Sequence, residues 1–367
     1  MGMEFFSQTV VKIPMIPDHA RCKTMEPQGE RGRMMCCHRT LGLVSALALA
    51  AMLSARTENS SKFETTTRER VEKKNTAEEE QQGRPTARVK VATCQFPVSG
   101  DIRRNAAYIK GYIREAASNG AHLVHFSEAA LSGYAGSDVP SFENYNWEQL
   151  RTETANIVSL AKQCGVWVVL GSTHYIGPND KPTNCLYVIS AEGKIVERYD
   201  KSRLTKVDTK FYSRGEHLAL FTVQGVCFGL LICADSGSSD LYAAYKKQGV
   251  QVVLHSFYNA RFRKGTPLDE VIPAQVRIRA LESDLWVVAN NSSAPYSCWP
   301  TFIARPDGTI AGSLERHKPG LLYHEFPDRT HFSWVECKIT TSPRQEEAYD
   351  PGSPSTHPRA VDRTSPP

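Results

Sequence analysis

Long apolar runs are what this chain of 367 residues has least of. The longest, Leu41 to Ala55 (LGLVSALALAAMLSA), stops at fifteen residues. A helix crossing a bilayer needs about 20, so no stable membrane span is expected. The run follows Arg31, Arg33, Arg39 and Met34-Met35, which suits the core of a secretory signal, although Leu53-Ser54-Ala55 is a poor cleavage site. Export through this segment therefore stands beside a disordered leader. Ten cysteines are scattered without close pairing in the core, which excludes a disulfide framework and favours a reducing, cytoplasmic compartment. Nothing interleaves Lys and Arg with aromatics, and a formal charge of +5 is small for this length. No nucleic-acid partner is expected. Histidines at helical ligand spacing are also missing: His122 and His125 stand three apart on a predicted strand, which sends them to opposite faces. A metal hydrolase is disfavoured.

Large apolar residues are nearly absent from Arg56 to about residue 87, so that stretch cannot offset its ordering entropy. Residues 1–87 read as a leader followed by a disordered linker. From Lys338 to Pro367 the chain is rich in Pro, Ser and Thr and reads as a disordered tail. Apolar periodicity is confined to residues 88–327, enough for one domain with a sizeable core.

Within that domain strands and helices alternate. Val89 to Cys94 predicts a strand, and Ala106, Ile109, Ile113 and Ala116 give the following segment one apolar helical face that Gly120 stops. The same order repeats through a strand ending at Glu128, a helix over Asn146 to Cys164 and a strand from Val166 to Gly171. A hairpin turns at Ala191-Glu192-Gly193 and ends at Lys201. A strand ending at Cys233, a helix from Asp240, a strand ending at His255, a helix over Val271 to Ser283 and a strand over Leu285 to Asn290 follow. Phe302 to Ile310 closes the pattern as a hairpin. This is an α/β domain, helices covering both faces of a mixed sheet, with two halves that echo one another without an exact repeat.

Cys233 is the most informative position. It ends the apolar run Val226 to Ile232 and precedes Ala234-Asp235-Ser236-Gly237, so it stands where a buried strand gives way to a loop. Ligand sites in open α/β sheets lie at such carboxyl ends. Glu128 and Lys201 close two other strands, which predicts a thiol, a carboxylate and an ammonium gathered at one sheet edge. Hydrolysing an unactivated amide needs a nucleophile, a base and donors for the oxyanion, and Cys233, Glu128 and Lys201 are of the right types. The Ala234 N–H is a natural second oxyanion donor. A thiol titrates near ~8.5 and a carboxylate near ~4.3, so a neighbouring Glu alone would not favour the thiolate, and Lys201 is needed to offset the repulsion. Singly, each residue has an ordinary reading: a core thiol, a capping carboxylate, a surface ammonium.

Phe126-Ser127-Glu128-Ala129-Ala130-Leu131-Ser132-Gly133-Tyr134, Tyr199-Asp200-Lys201-Ser202-Arg203-Leu204 and Leu231-Ile232-Cys233-Ala234-Asp235 resemble, in order and context, the three catalytic motifs of the nitrilase superfamily of carbon-nitrogen hydrolases. The likeness spans about Val89 to Phe326. It implies a four-layer α-β-β-α sandwich formed when two subunits pack helices against each other, a homodimer or larger homo-oligomer, and no metal or organic cofactor. It also implies Glu128 as general base, Lys201 as oxyanion stabiliser and Cys233 as a nucleophile that forms a thioester. Asp208 falls where the family carries a second acidic residue, usually Glu, and Glu216 is a nearby fallback.

Several positions depart from the family pattern. His255-Ser256-Phe257-Tyr258-Asn259 replaces an apolar Pro-x-x-Trp turn and implies a more hydrogen-bonding pocket, while Trp299 is either a pocket wall or a packing residue. Tyr134, Phe257, Tyr258 and Arg261 are candidate substrate contacts. Arg261, Arg263 and Lys264 are placed to receive a substrate carboxylate, or simply form a solvated loop face. Cys233-Ala234-Asp235 falls with the amidase and carbamoylase branches, so the expected substrate is a small linear amide or N-carbamoyl compound that releases ammonia. The alternatives are a nitrilase acting on a nitrile, a thiol-dependent N-acyltransferase, or a non-catalytic ligand-binding member of the fold.

Overall fold

Alternation along the strands sorts side chains into two layers, and that sorting builds the molecule. The computed structural model describes residues 88–263, 265–326, 362–364 and 366. The signal-like run, the linker, Lys264 and most of the tail lie outside the described residues.

The first sheet holds β1 (Val89–Gln95), β2 (Leu123–Phe126), β3 (Trp167–His174), β4 (Thr183–Ile189), β5 (Ile195–Asp200) and β12 (Gly320–Phe326), in the order β12-β1-β2-β3-β4-β5. The second holds β6 (Leu220–Val223), β7 (Val226–Ile232), β8 (Val252–Ser256), β9 (Trp286–Asn290), β10 (Phe302–Ala304) and β11 (Ile310–Ser313), in the order β11-β10-β9-β8-β7-β6. The pairing pattern is the same in both. An antiparallel edge (β12 or β6) precedes a parallel trio (β1-β2-β3 or β7-β8-β9), and an antiparallel pair follows. The echo between the halves is thus realised as two sheets of equal topology.

Helices α1 (Ile102–Ser118) and α2 (Trp147–Cys164) cover the first sheet; α4 (Ser239–Lys247) and α5 (Leu268–Ser283) cover the second. Asp101 caps α1 by accepting from the N–H groups of Arg103 and Arg104, and Asn146 caps α2 through Gln149. Ile109, Ile113 and Ile157 meet the outer-facing Val124, Phe126, Val168 and Leu170. On the opposite faces Val91, Leu123, Val169 and Leu186 pack with Phe221, Phe228, Leu230 and Leu254 of the other sheet. Each such fully buried side chain contributes about 1.5–3 kcal/mol, so this double apolar layer dominates the fold's stability.

Polar ties cross the same interface. His125 and Ser256 meet at 2.8 Å, Ser256 donates to the Phe126 carbonyl at 2.8 Å, and Asn290 donates to the Cys94 carbonyl at 3.0 Å. Two expectations are corrected here. One chain supplies all four layers of the sandwich, because its two sheets bury their inner faces against each other and no second subunit is needed. And the strand ends carrying Glu128, Lys201 and Cys233 belong to two facing sheets, not to one sheet edge.

Two edge strands, β6 and β12, carry little sequence signal because their half-exposed faces lack an unbroken apolar pattern. Helix α5 begins three residues earlier than the periodicity predicts and keeps Pro273 inside it. Tail residues 362–364 are not free chain: the Asp362 carbonyl accepts from Arg198 at 2.9 Å, and Arg363 pairs with Asp200. No helix among the described residues is long and apolar enough to cross a membrane.

Candidate active site

Period-two alternation on β5 points Tyr199 and Lys201 towards the second sheet and Arg198 and Asp200 away from it. Lys201 therefore enters the sheet interface beside Asn184 of β4, whose carbonyl accepts the Lys201 N–H at 2.8 Å. Gly215 closes over the same point. Its N–H bonds the Lys201 carbonyl at 2.9 Å, and any Cβ there would collide with the Asp200 backbone. Glu128 follows β2 by two residues on a turn held against β3. Gly171 lies directly under the Ser127 carbonyl, where a Cβ has no room.

The Lys201 ammonium is fully buried between two carboxylates, 2.7 Å from Glu128 Oε1 and 2.9 Å from Asp208 Oδ2. Asn184 Nδ2 also donates to Glu128 Oε1, at 2.7 Å, whereas Glu128 Oε2 has no protein hydrogen bond. Asp208 opens the short helix α3 (Asp208–Phe211) and accepts from the Thr205 N–H at 2.8 Å and from Tyr134 Oη at 2.6 Å. The carboxylate is carried in by the helix start, so the shorter Asp side chain reaches the lysine. Glu216 does not take that place.

Cys233 comes from the other sheet. It is the first residue of a 3-10 turn, Cys233–Gly237, at φ +45°. A non-glycine residue in the left-handed region is strained, and such strain concentrates at functional sites. The turn is stapled by Asp235, whose carboxylate accepts from the N–H of Ile232 (2.8 Å), the N–H of Arg203 (2.7 Å) and Tyr199 Oη (2.8 Å). One buried side chain thus binds residues flanking both Lys201 and Cys233. Asn259 directs its amide at Cys233 Sγ, 3.8 Å away, and Trp299 Nε1 fixes that amide by donating to Asn259 Oδ1 at 3.1 Å. His255 stands 3.2 Å from the Cys233 carbonyl.

Burial, with Glu128 and Asp208 nearby, pushes the Cys233 thiol well up, and Lys201 only partly opposes this. Burial also raises the Glu128 carboxyl despite its ion pair. Burial would lower Lys201, but Glu128, Cys233, Tyr134 and Asp208 together hold it strongly as an ammonium. Asp208 is also pushed up by burial, yet Lys201 and the Tyr134 hydrogen bond bring it below its ordinary value. The resting site is therefore a neutral thiol beside an ion-paired lysine.

Residues 90–331 match the family model described as carbon-nitrogen hydrolase. The chain belongs to the carbon-nitrogen hydrolase family. Its place in the nitrilase superfamily, read from the three motifs, is thereby shown. It is 25% identical over 278 residues to the chloroplastic omega-amidase of Arabidopsis thaliana, covering 71% of this chain and 72% of that one. To human omega-amidase NIT2 it is 26% identical over 226 residues, 57% and 78% of the two chains. A crystal structure of an amidase from Nesterenkonia sp. superposes with a TM-score of 0.58 at 22% identity, over 67% of this chain and 92% of that one. At that identity the likeness carries the fold. A mutant of that amidase holds the acetamide moiety of fluoroacetamide covalently on its active-site cysteine.

Of the expected contacts in this carbon-nitrogen hydrolase, Tyr134 and Tyr258 stack face to face at 4.9 Å, and Lys201 Nζ lies 5.9 Å from the Tyr134 ring centre. Phe257 is fully buried between His255 and Trp299. Arg261 has its Nε on Asp138 and on Tyr258 Oη. Ala234 follows Cys233 in the first turn of the 3-10 segment, where backbone N–H groups have no intrahelical acceptor. Trp299 is a packing residue that orients Asn259. Asn184 escapes sequence reasoning, its only signal a polar residue opening the apolar run of β4, while Asp235 and Asn259 were read within their motifs but not as the groups that pin the cysteine turn. Among the described residues no group of three or more His, Cys, Asp or Glu is arranged to hold a metal.

Proposed function

We propose that this carbon-nitrogen hydrolase is an amidase that cleaves a small linear amide through a Cys233 thioester and releases ammonia. The observation that carries the reading is Lys201 held between Glu128 and Asp208 opposite a strained Cys233. Sγ attacks the carbonyl carbon as its proton passes to Glu128, whose Oε2 is uncommitted. The oxyanion forms against Lys201 Nζ and the Ala234 N–H. Collapse breaks the C–N bond, Glu128 hands its proton to the leaving amine, and ammonia departs from the acyl-enzyme. Water then attacks the thioester and gives its proton to Glu128, and the thiol leaves with that proton as the free acid departs.

Relatives named omega-amidase favour an amide over a nitrile, and the stacked Tyr134 and Tyr258 rings offer a flat wall to a small substrate. Arg261 braces Tyr258, and a substrate carboxylate has to compete there with Asp138. An N-carbamoyl compound meets the same machinery with a carbamoyl in place of an acyl group. Exposed apolar Val271 and Ile278, on one face of α5, support assembly into a homodimer or larger homo-oligomer.

The test is ammonia release from short amides, N-carbamoyl amino acids and nitriles, beside Cys233→Ala. Cysteine-dependent release from amides is the expected outcome. Release that survives Cys233→Ala would end the nucleophile assignment, and acyl transfer to an added amine instead of water would make the enzyme a transferase.

A further inference from the structure

Behind the lysine, on the helix-covered face of β5, lies a second charged cluster that the reaction does not use. Arg198 and Asp200 are both buried there, and register pairs them with Tyr187 and Cys185 of β4. Asp200 accepts from Thr183 Oγ1 at 2.6 Å, from Arg198 Nε at 3.0 Å and from Arg363 Nη1. Arg198 Nη1 meets His174 Nε2 at 2.9 Å and also donates to the Asp362 carbonyl at 2.9 Å. The partner segment is a closed turn: Asp362 Oδ1 accepts from both the N–H (2.9 Å) and the hydroxyl (2.8 Å) of Thr364, which presents Arg363 outward.

A buried guanidinium and carboxylate are costly unless every polar atom is partnered. Here two of the partners, Arg363 and the Asp362 carbonyl, come from the C-terminal segment. Asp200 is the residue before Lys201, so whatever fixes its carboxylate also fixes the backbone from which the lysine side chain departs. We propose that the Asp362-Arg363-Thr364 turn is a latch on the Arg198–Asp200 pair and that Arg363 is a positioning residue for Lys201. It acts from outside the site: the outer face of β5 receives the arginine, and the inner face delivers the lysine.

The proposal deepens the amidase reading in its activity arm, and hydrogen exchange tests it independently of turnover. In the chain ending at Val361, the Lys201 amide, bonded to the Asn184 carbonyl, should exchange about tenfold faster or more, while the amides of β9 keep their rate. Unchanged exchange at Lys201 would overturn the latch whether or not an amide substrate is found. With an amide that is turned over, Arg363→Gln should lower kcat about tenfold while KM stays within about twofold, because geometry and not substrate contact is lost. Arg363→Lys should recover part of the rate. A synthetic peptide of residues 357–367 added to the shortened chain should restore both exchange protection and kcat. Equal kcat in the full chain and Arg363→Gln would remove Arg363 from catalysis.

Discussion

One ammonium, Lys201, stands among three acidic groups, Glu128, Asp208 and the Cys233 thiol, and a single positive charge cannot hold all three as anions. Asp208 wins the charge because Tyr134 and the Thr205 N–H add donors to it. In the proposed reaction the thiol keeps its proton until attack, and Glu128, raised by burial, serves as a stronger base than a free carboxylate. Glu128→Gln should therefore cost at least ~10²-fold in kcat. In the wild type the rate should fall as pH drops through a midpoint above the ordinary ~4.3, since the base must be ionised to accept the proton. A pH profile flat down to that value would mean that another group takes it. Asp208→Asn keeps the size and removes the anion. A fall in kcat of about tenfold or more is expected, and wild-type turnover would show that Glu128 alone orients the lysine.

At the scale of elements, the site depends on turns pinned by groups that never touch a substrate. Asp235 joins the lysine segment to the cysteine turn through Tyr199, Arg203 and Ile232, and burial pushes its carboxyl up to about 6 against those donors and the Lys201 charge. A carboxyl that titrates higher in the fold than in the unfolded chain, near about 4, favours folding at low pH. That contribution is lost as pH rises through about 6. Asp235→Asn should flatten the pH dependence of stability across this window, measured by urea unfolding at pH 4.5 and 7. An unaltered difference between the two values would exclude the carboxyl as its source. Gly171→Ala should displace the Ser127-Glu128 turn, since its Cβ meets the Ser127 backbone. The expected result is lost activity in a chain that still folds; activity close to wild type would show that the turn can yield.

For the whole molecule, two sheets of matching topology face each other, and the candidate site sits where their carboxyl edges meet. Glu128 and Lys201 arrive from one half, Cys233 from the other. Val271 and Ile278, each about half exposed on α5, mark the face expected to meet another copy. Light scattering should give at least twice the chain mass of 40.8 kDa, and Val271→Lys with Ile278→Lys should lower it. A monomer at micromolar concentration would refute assembly through this face. Seen at this scale, the strand ends at Glu128 and Cys233 were legible because an apolar run that stops at a polar residue marks a buried strand's end, and the one at Lys201 because it closes a hairpin arm. That the three ends meet across a sheet interface was not, since no local pattern says which sheet a strand joins.

By itself the sequence determined the alternation of helices and strands and the three motifs that resemble a carbon-nitrogen hydrolase. These rest on local periodicity and residue order. Tertiary structure alone decided that all four layers close within one chain, that Asp208 pairs with Lys201, that Asp235 staples lysine to cysteine, and that Arg363 returns to Asp200. The layers close through apolar packing, while the last two of these ties join residues distant in the chain through charged side chains. A charge written in sequence looks solvated, and only packing removes the water that would have made it so.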